Sequence, residues 1–192
     1  MAADPYTQFE EWFSAVVDSG IDEPNAFVLS TATANGRPSG RAVLMKGFDE
    51  RGVVFYTGLG SRKSVEIEVN PWTAATFVWT LLHRQVRFEG PVTKVEADMA
   101  DAYFASRPRG SQIAAHASRQ STPIASRDEL DLRFEVLDAE FGVGTVPRPE
   151  SWGGWRLAAD SVEFWQGQPN RFHDRIVYAR AGSGWAMQRL AP

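Results

Sequence analysis

The chain of 192 residues contains no cysteine and carries a formal net charge of −4. These values exclude disulfides and cysteine-ligated metals, and they argue against general nucleic-acid binding, which normally needs a basic surplus. No apolar stretch is long enough to span a bilayer and the N-terminus shows no signal pattern, so we expect one cytoplasmic domain over 1–192 with no membrane partner. The three histidines, His83, His116 and His173, lie far apart in sequence, and we predict no metal site.

The first predicted element is a helix from about Pro5 to Ser19. Asp4 suits the N-cap, Pro5 suits the first turn, and Gly20 can end the helix. Apolar residues recur on one face at helical spacing, namely Phe9, Trp12, Phe13, Val16 and Val17. This stripe is predicted to pack against the core or a partner chain.

From Ala26 onward the pattern changes to that of β-strands, with a hairpin signal at Asn35-Gly36. Strands are predicted at 26–33, 39–48, 53–57, 72–79 and 84–95, with a short helix at 61–69. Three helices follow at 97–106, 111–118 and 126–141, and the last quarter returns to strands at 152–157, 161–166, 171–179 and 185–190. Strand-rich ends around a helical insert predict a mainly β (α+β) fold, a small antiparallel barrel with helices outside it. A ligand of such a barrel often lies on its outside or at a subunit seam.

Positive charge is concentrated near the first strands. Six basic residues against two acidic ones in 37–63 favour a small anionic ligand. Within that region, Thr57 to Lys63 leads from a strand into a helix, with two glycines, Ser61 as a cap, and Arg62 and Lys63 beside the first amides. This composition predicts a phosphate cradle, although the glycine spacing is not that of a nucleotide P-loop; the alternative is a solvated basic helix start.

The run from Arg41 to Lys46 is predicted to lie inside a strand. Side chains alternate along a strand, so Arg41 and Lys46 should face opposite sides and serve two different anionic groups. The alternative is one edge-exposed residue and one salt bridge. A third basic segment ends a helix, where Tyr103 and Arg107 share a face and Ser111 follows; it reads either as an anion clamp or as an ordinary helix C-cap.

The segment from Glu163 to Arg175 brings together Trp165, Gln166, Arg171, His173 and Arg175, as expected for a site that holds a planar anion. An ordinary hairpin with a buried tryptophan is the alternative. In a strand, Arg171, His173 and Arg175 would share a face. His116 reads as a packed or surface histidine and His83 as a solvated turn residue. No protein nucleophile or paired-carboxylate signature occurs, so an enzyme of this sequence would rely on a bound cofactor.

Taken together, these segments resemble the pyridoxine (pyridoxamine) 5′-phosphate oxidase family over nearly the whole chain. The likeness is carried by 41–46, 55–57 with 61–63, 84–86, 103–112, 152–154, 164–167, 171–175 and 189–192. It implies an FMN-binding split β-barrel with peripheral helices, working as a homodimer with FMN at the interface. The C-terminal strands, about 152–190, would complete the active site.

The resemblance also implies roles for individual residues. FMN contacts are expected at Arg41, Ala42, Val43, Leu44, Met45, Lys46, Tyr56, Thr57, Arg62, Lys63, Gln85, Gln120, Ser121, Trp165 and Arg175. Substrate contacts are expected at Lys46, Tyr103, Arg107, Ser111, Arg171, Phe172 and His173, of which Arg171 and His173 would be catalytic. The implied reaction oxidises pyridoxine or pyridoxamine 5′-phosphate to pyridoxal 5′-phosphate with O2, giving H2O2 and, from the amine, NH3.

Two features depart from the family pattern. Members usually carry an N-terminal extension that folds over the substrate, whereas this chain starts just before its first predicted helix, and His116 stands where a tryptophan is common. Both bear on catalytic competence more than on FMN binding. Two alternatives therefore stay open: an FMN-dependent oxidase of another flat substrate, such as a phenazine precursor, and a non-catalytic protein that binds flavin or pyridoxal phosphate.

Overall fold

The computed structural model describes residues 1–192 and contains ten strands and five helices. The helices are α1 (Pro5–Asp18), α2 (Arg62–Val69), α3 (Ala97–Ser106), α4 (Arg109–Ala117) and α5 (Arg127–Phe141). The strands are β1 (Ala26–Ala32), β2 (Pro38–Leu44), β3 (Gly47–Asp49), β4 (Gly52–Gly58), β5 (Trp72–Trp79), β6 (Arg84–Lys94), β7 (Trp152–Leu157), β8 (Ser161–Gln166), β9 (Asp174–Ala181) and β10 (Gly184–Leu190). None of the helices combines the length and the apolar character needed to cross a membrane.

All strand pairs are antiparallel, and the long strand β6 joins two parts of the sheet. The main order is β10-β9-β8-β6-β5-β1-β2, while β7 pairs with both β4 and the end of β6. Residues Arg84 to Glu89 of β6 pair with β8, and Val92 to Lys94 pair with β7. Gly90 lies between these stretches, and a Cβ there would approach the carbonyl oxygen of Ala158 to 2.1 Å. Because β6 pairs with two strands along the same edge, the sheet curls. The ten antiparallel strands of this curled sheet confirm the prediction of a mainly β fold.

Helix α1 closes the core at one end of the curled sheet. The carboxylate of Asp4 accepts hydrogen bonds from the amides of Tyr6 and Thr7 at 2.8 and 3.1 Å, as the capping pattern predicts. The ring of Phe9 is fully buried and lies 5.0 Å from those of Phe48, Phe77 and Phe88. The predicted apolar stripe is thus confirmed in its main part, but Val17 is half exposed.

The predicted strand 39–48 is divided in the structure, which is a correction to the placement of Lys46. Strand β2 ends at Leu44 and β3 begins at Gly47. Between them the amide of Met45 bonds to Asn25 and the amide of Lys46 bonds to Val54, so the backbone changes partner here. Lys46 therefore does not lie inside a regular strand, and strand alternation does not relate its direction to that of Arg41.

The predicted strand 171–179 starts three residues later than expected. Pro169 to Arg171 form a 3₁₀ turn, and Asn170 and Arg171 have left-handed backbone angles, with φ of 56° and 64°. Strand β9 begins only at Asp174. The prediction that Arg171, His173 and Arg175 share a strand face is therefore wrong, because the turn re-aims the chain before the strand forms.

Candidate active site

A stack of three aromatic rings lies between α3 and strands β4 and β7. The ring centroids of Tyr56 and Tyr103 are 4.1 Å apart, and those of Tyr56 and Trp152 are 5.3 Å apart, with interplanar angles of 18° and 6°. The stack needs glycine at position 154, since a Cβ there would approach Cε1 of Tyr56 to 2.6 Å. Phe104, Ile113 and Val146 pack with Trp152 in a small buried cluster of their own. A rigid, flat wall results, of the kind that suits a planar ligand.

Two adjoining cavities share this wall. The small cavity has a volume of about 290 Å³ and the large cavity about 660 Å³. Residues that line both are Tyr56, Thr57, Arg107, Gln120 and Trp152. The small cavity adds Lys46, Lys63 and Tyr103, so three cationic side chains face one pocket that contains no carboxylate.

Lys63, in the first turn of α2, is a buried cation with only neutral hydrogen-bond partners. Its Nζ donates to the hydroxyl of Thr57 at 2.9 Å, to that of Ser61 at 3.3 Å and to Oε1 of Gln120 at 3.2 Å. Burial, and secondarily the charge of Arg41, lowers the pKa of Lys63 to about 8. An ammonium ion that is desolvated without a counterion would be stabilised by an anionic ligand.

Arg107 follows the end of α3 and is the second unneutralised cation. Its guanidinium lies over the rings of Trp152 and Phe104, at 4.7 and 5.4 Å from their centroids. Its Nη1 is buried and has no hydrogen-bond partner in the chain. Burial lowers the pKa of Arg107. A buried donor left unpaired beside a cavity is what an absent anionic ligand would explain.

The predicted phosphate cradle between β4 and α2 is only partly as expected. The amide of Gly58 already donates to Oε1 of Gln120 at 3.1 Å, so that group is occupied. Ser61 occupies the N-cap position, but its side chain makes no capping hydrogen bond and instead contacts Lys63 and Ser64. The first amides of α2 thus have no side-chain cap, which leaves them available to an anion.

Two arginines that are predicted to contact the cofactor, Arg41 and Arg62, bind the same carboxylate, that of Glu66 on α2. Glu66 is 4% exposed and accepts from Nε of Arg62 at 2.8 Å and from Nη2 of Arg41 at 3.3 Å. Thr31 and Ser39 also donate to it, at 2.5 and 2.6 Å. Neither arginine lines the two cavities.

A second group of predicted residues lies on strands β6, β8 and β9, where Gln85, Trp165 and Arg175 are cross-strand neighbours. The ring of His173 lies 4.6 Å from that of Trp165. Nδ1 of His173 accepts a hydrogen bond from the amide of Gln168 at 3.1 Å, so the neutral imidazole carries its proton on Nε2. Arg175 is paired with the buried Glu163 at 2.7 Å.

The structure therefore brings together one half of the predicted site and keeps the other half apart. The small cavity is lined by the predicted residues Ala42, Val43, Leu44, Lys46, Tyr56, Thr57, Lys63, Tyr103, Arg107 and Gln120. Neither cavity is lined by Arg41, Met45, Arg62, Gln85, Ser111, Ser121, Trp165, Arg171, Phe172, His173 or Arg175. Their roles stay predictions.

Three contributors were not identified from the sequence. Trp152 supports Arg107, and Glu66 and Glu163 hold the arginines. The spacing of Arg62 and Glu66, four apart on a helix, is the one local signal that would have indicated such a pair. His116 is packed as expected, with Nε2 2.7 Å from the carbonyl oxygen of Pro147 and its ring near Phe141.

Known protein families match most of the length of this chain. Residues 13–139 match the family described as "Pyridoxamine 5′-phosphate oxidase", and residues 152–192 match "Pyridoxine 5′-phosphate oxidase C-terminal dimerisation region". Among curated relatives, "Pyridoxine/pyridoxamine 5′-phosphate oxidase" of Rubrobacter xylanophilus is 56% identical, with 98% of this chain and 87% of the relative covered. The protein of the same name from Dichelobacter nodosus is 50% identical, with 100% and 91% covered.

Solved structures show the same architecture. PhzG from Burkholderia lata, in complex with tetrahydrophenazine-1-carboxylic acid, superposes with a TM-score of 0.95 at 31% identity and covers 100% of this chain and 94% of its own. A pyridoxamine 5′-phosphate oxidase-related, FMN-binding protein of Nostoc punctiforme superposes with a TM-score of 0.77 at 17% identity, with both chains fully covered, and confirms the split-barrel fold class. By its sequence matches, the chain belongs to the pyridoxamine 5′-phosphate oxidase family and is an oxidoreductase.

Proposed function

We propose that this protein binds FMN and oxidises pyridoxine or pyridoxamine 5′-phosphate to pyridoxal 5′-phosphate, with O2 as the electron acceptor. The observation that carries the proposal is a pair of cations, the buried Lys63 and the half-buried Arg107, on the walls of one pocket with no carboxylate to neutralise either. Two separate cations suit two separate phosphate groups, one on the cofactor and one on the substrate.

The substrate phosphate is assigned to Lys46, Tyr103 and Arg107, together with Ser111 in the first turn of α4. Three of these line the small cavity, and Arg107 offers it an unpaired buried donor. Tyr103 also belongs to the aromatic stack. The same residue would therefore contact the phosphate and form one wall of the space for the substrate ring. Holding the phosphate far from the reacting carbon would supply binding energy that aligns that carbon.

The FMN phosphate is assigned to Lys63, Thr57 and Gln120, with Arg41 and Arg62 nearby. The fit rests on the desolvated ammonium of Lys63 and on the uncapped amides of α2. When bound, FMN would supply the acceptor for the hydride from C4′ of the substrate, and O2 would take up the two electrons and two protons to give H2O2. The substrate alcohol loses its hydroxyl proton to give the aldehyde; the amine gives an imine, which water hydrolyses to the aldehyde and NH3.

Gln85, Trp165, Arg171, Phe172, His173 and Arg175 are assigned to the pocket of the partner chain in a homodimer. This would reconcile their predicted roles with their distance from the cavities of their own chain, and the match of 152–192 to a dimerisation region supports it. In this arrangement Nε2–H of His173 and the exposed guanidinium of Arg171 would be available as donors toward the substrate ring.

One observation favours a second candidate, the oxidation of another flat substrate. The structural neighbour with a TM-score of 0.95 is held in complex with a tetrahydrophenazine acid. The cationic groups at Lys46 and Arg107 favour the phosphorylated substrate over this alternative.

Oxygen uptake by the FMN-loaded protein tests the proposal. We expect turnover with pyridoxine 5′-phosphate and pyridoxamine 5′-phosphate, and anaerobic bleaching of the flavin absorbance on addition of either. Turnover of tetrahydrophenazine-1-carboxylic acid but not of the two vitamin B6 phosphates would establish the second candidate. Flavin binding without turnover of either substrate would point to a carrier, and a colourless protein that does not take up FMN would refute the scheme.

A further inference from the structure

Glu66 occupies a position where a carboxylate needs a specific reason to be retained. It lies on α2, is 4% exposed, and is surrounded by the hydroxyls of Thr31 and Ser39 and by the guanidinium groups of Arg41 and Arg62. Burial alone would raise the pKa of Glu66, but hydrogen bonds from Ser39, Thr31 and Arg62 outweigh it and lower the pKa to about 2. Glu66 therefore carries a negative charge at neutral pH.

The contacts of Glu66 fix the directions of both arginines. Its Oε1 holds Nε of Arg62 at 2.8 Å, and its Oε2 lies 3.3 Å from Nη2 of Arg41. Arg41 is further tied by Nη1 to the hydroxyl of Thr31 at 2.6 Å and to the carbonyl oxygen of Leu29 at 3.1 Å. Arg41 is close enough to Lys63 to lower the pKa of that lysine. Three cations and one carboxylate thus gather at the start of α2, with a net charge of plus two, which matches a phosphate monoester dianion.

We propose that Glu66 is a positioning residue for phosphate recognition, which holds Arg41 and Arg62 in place beside Lys63 without touching the ligand. The inference rests on the proposed function, because the phosphate is taken to be that of FMN. Preorganised donors bind an anion more tightly than mobile ones, since the ligand need not pay for their ordering.

Simple electrostatics predicts the opposite change in FMN affinity, so the experiment can distinguish the two explanations. Replacing Glu66 by glutamine removes a negative charge from the neighbourhood of a bound anion, and on charge alone FMN should bind more tightly. If orientation dominates, the freed arginines repel one another and FMN binds more weakly. Riboflavin has the same ring but no phosphate, so a positioning role leaves its affinity unchanged, while general damage to the fold weakens both ligands.

The experiment compares dissociation constants for FMN and riboflavin by quenching of flavin fluorescence, in the wild-type protein, Glu66→Gln and Glu68→Gln. Glu68 is on the same helix and pairs with the exposed Lys94, so its substitution removes an equal charge without contacting the arginines. We expect Glu66→Gln to weaken FMN about tenfold, the size typical of outer partners that orient metal ligands, and to change riboflavin less than about twofold. Glu68→Gln should alter neither ligand.

A second variant, Glu66→Asp, keeps the negative charge but holds it too far from the arginines to orient them. Glu66→Asp shortens the side chain by one methylene, so a role of pure charge predicts wild-type binding and a positioning role predicts weakened FMN; this variant carries the test if Glu66→Gln does not fold. Unchanged or tighter FMN binding in the folded variants would overturn the inference, as would an equal loss for FMN and riboflavin. If the wild-type protein binds neither flavin, the proposed function itself fails, which is a different result.

Discussion

Two regions of this chain hold buried or half-buried cations in opposite ways. On strands β6, β8 and β9, Arg87 and Arg175 share the carboxylate of Glu163 at 2.9 and 2.7 Å, and Glu163 is 3% exposed. In the small cavity, Lys63 and Arg107 have no carboxylate partner. The charges of the first region are neutralised within the chain, although Nε of Arg87 makes no hydrogen bond, and those of the second are neutralised only when an anion binds.

The difference indicates which charges the chain neutralises by itself and which are left for a ligand to neutralise. A desolvated cation costs free energy unless it is paired, and neither the neutral hydrogen-bond partners of Lys63 nor the aromatic contacts of Arg107 supply a negative charge. Glu66 is intermediate between the two cases. It pairs with Arg41 and Arg62 but leaves the neighbouring Lys63 without a carboxylate partner. The comparison can be tested by removing one charge from each region.

The largest effect is expected for Arg107→Met. Loss of the unpaired guanidinium should weaken the binding of pyridoxal 5′-phosphate about 100-fold, since hydrogen bonds to a charged group are worth roughly 1.5–3 kcal/mol each. FMN should stay bound, because its phosphate is assigned to Lys63. The melting temperature of the ligand-free variant should fall only slightly, because the variant loses the contacts of the guanidinium with Trp152 and Phe104 but the buried Nη1 has no hydrogen bond to lose. Equilibrium titration and a thermal scan measure the three quantities.

Arg109→Met is the matched control for this variant. Arg109 is two residues away, and it bonds to the carbonyl oxygens of Gly142 and Gly144 and pairs with Asp138 outside the cavities. Its loss should leave the affinity for the phosphorylated ligand unchanged. Release of FMN by Arg107→Met would contradict the assignment of two separate phosphate sites.

The next largest effect concerns the paired region, where Glu163→Gln should lower the free energy of unfolding by about 2 kcal/mol. Breaking a buried pair leaves charges uncompensated, although the effect is moderated here because Arg87 and Arg175 are about one-third exposed. Urea unfolding at fixed protein concentration gives the value. Glu89→Gln, which breaks the exposed contact of the same Arg87, should cost less than about 0.5 kcal/mol. Equal losses in the two variants would mean that burial of Glu163 contributes nothing.

Much of the fold could be predicted because its signals are local. Strands β5, β7 and β8 and helix α3 have the predicted bounds, because short runs rich in apolar and aromatic residues, or helical spacing, indicate each one without tertiary information. The failures occur where a distant contact decides the backbone. Lys46 leaves the strand because its amide bonds to Val54, and Arg171 enters a left-handed turn whose direction no nearest-neighbour pattern encodes.

The candidate site, like the fold, could be predicted from the sequence only in part. The residue types of the cationic segments indicated an anion, and Lys46, Lys63 and Arg107 do meet in one pocket. Composition could not show which cations were already neutralised, because Glu66 reaches Arg41 across 25 residues of sequence and Glu163 reaches Arg87 across 76. The pairing of charges is a property of the folded chain, and it is the pairing that separates the two regions.

The smallest expected effect, a pH dependence, tests the unpaired region at Lys63. Burial and Arg41 lower the pKa of this lysine from 10.5 to about 8, and its hydrogen-bond partners Thr57, Ser61 and Gln120 do not titrate. The ammonium form, which binds the phosphate, is therefore present below pH 8 and is lost as the pH rises above it. The affinity for FMN should fall above pH 8, by at most about tenfold per pH unit because one proton is linked to binding.

Riboflavin and Lys63→Arg separate this titration from other causes. A phosphate monoester has its second pKa near 6, so the ligand is already a dianion over the measured range, and any decline must come from the protein. Riboflavin affinity should be flat from pH 7 to about pH 9.5, and Lys63→Arg should bind FMN with a flat profile because a guanidinium stays protonated there. A decline that persists in Lys63→Arg would assign the titration to another group, and the pH dependence would then give no support to placing Lys63, rather than Lys46 or Arg107, at the FMN phosphate.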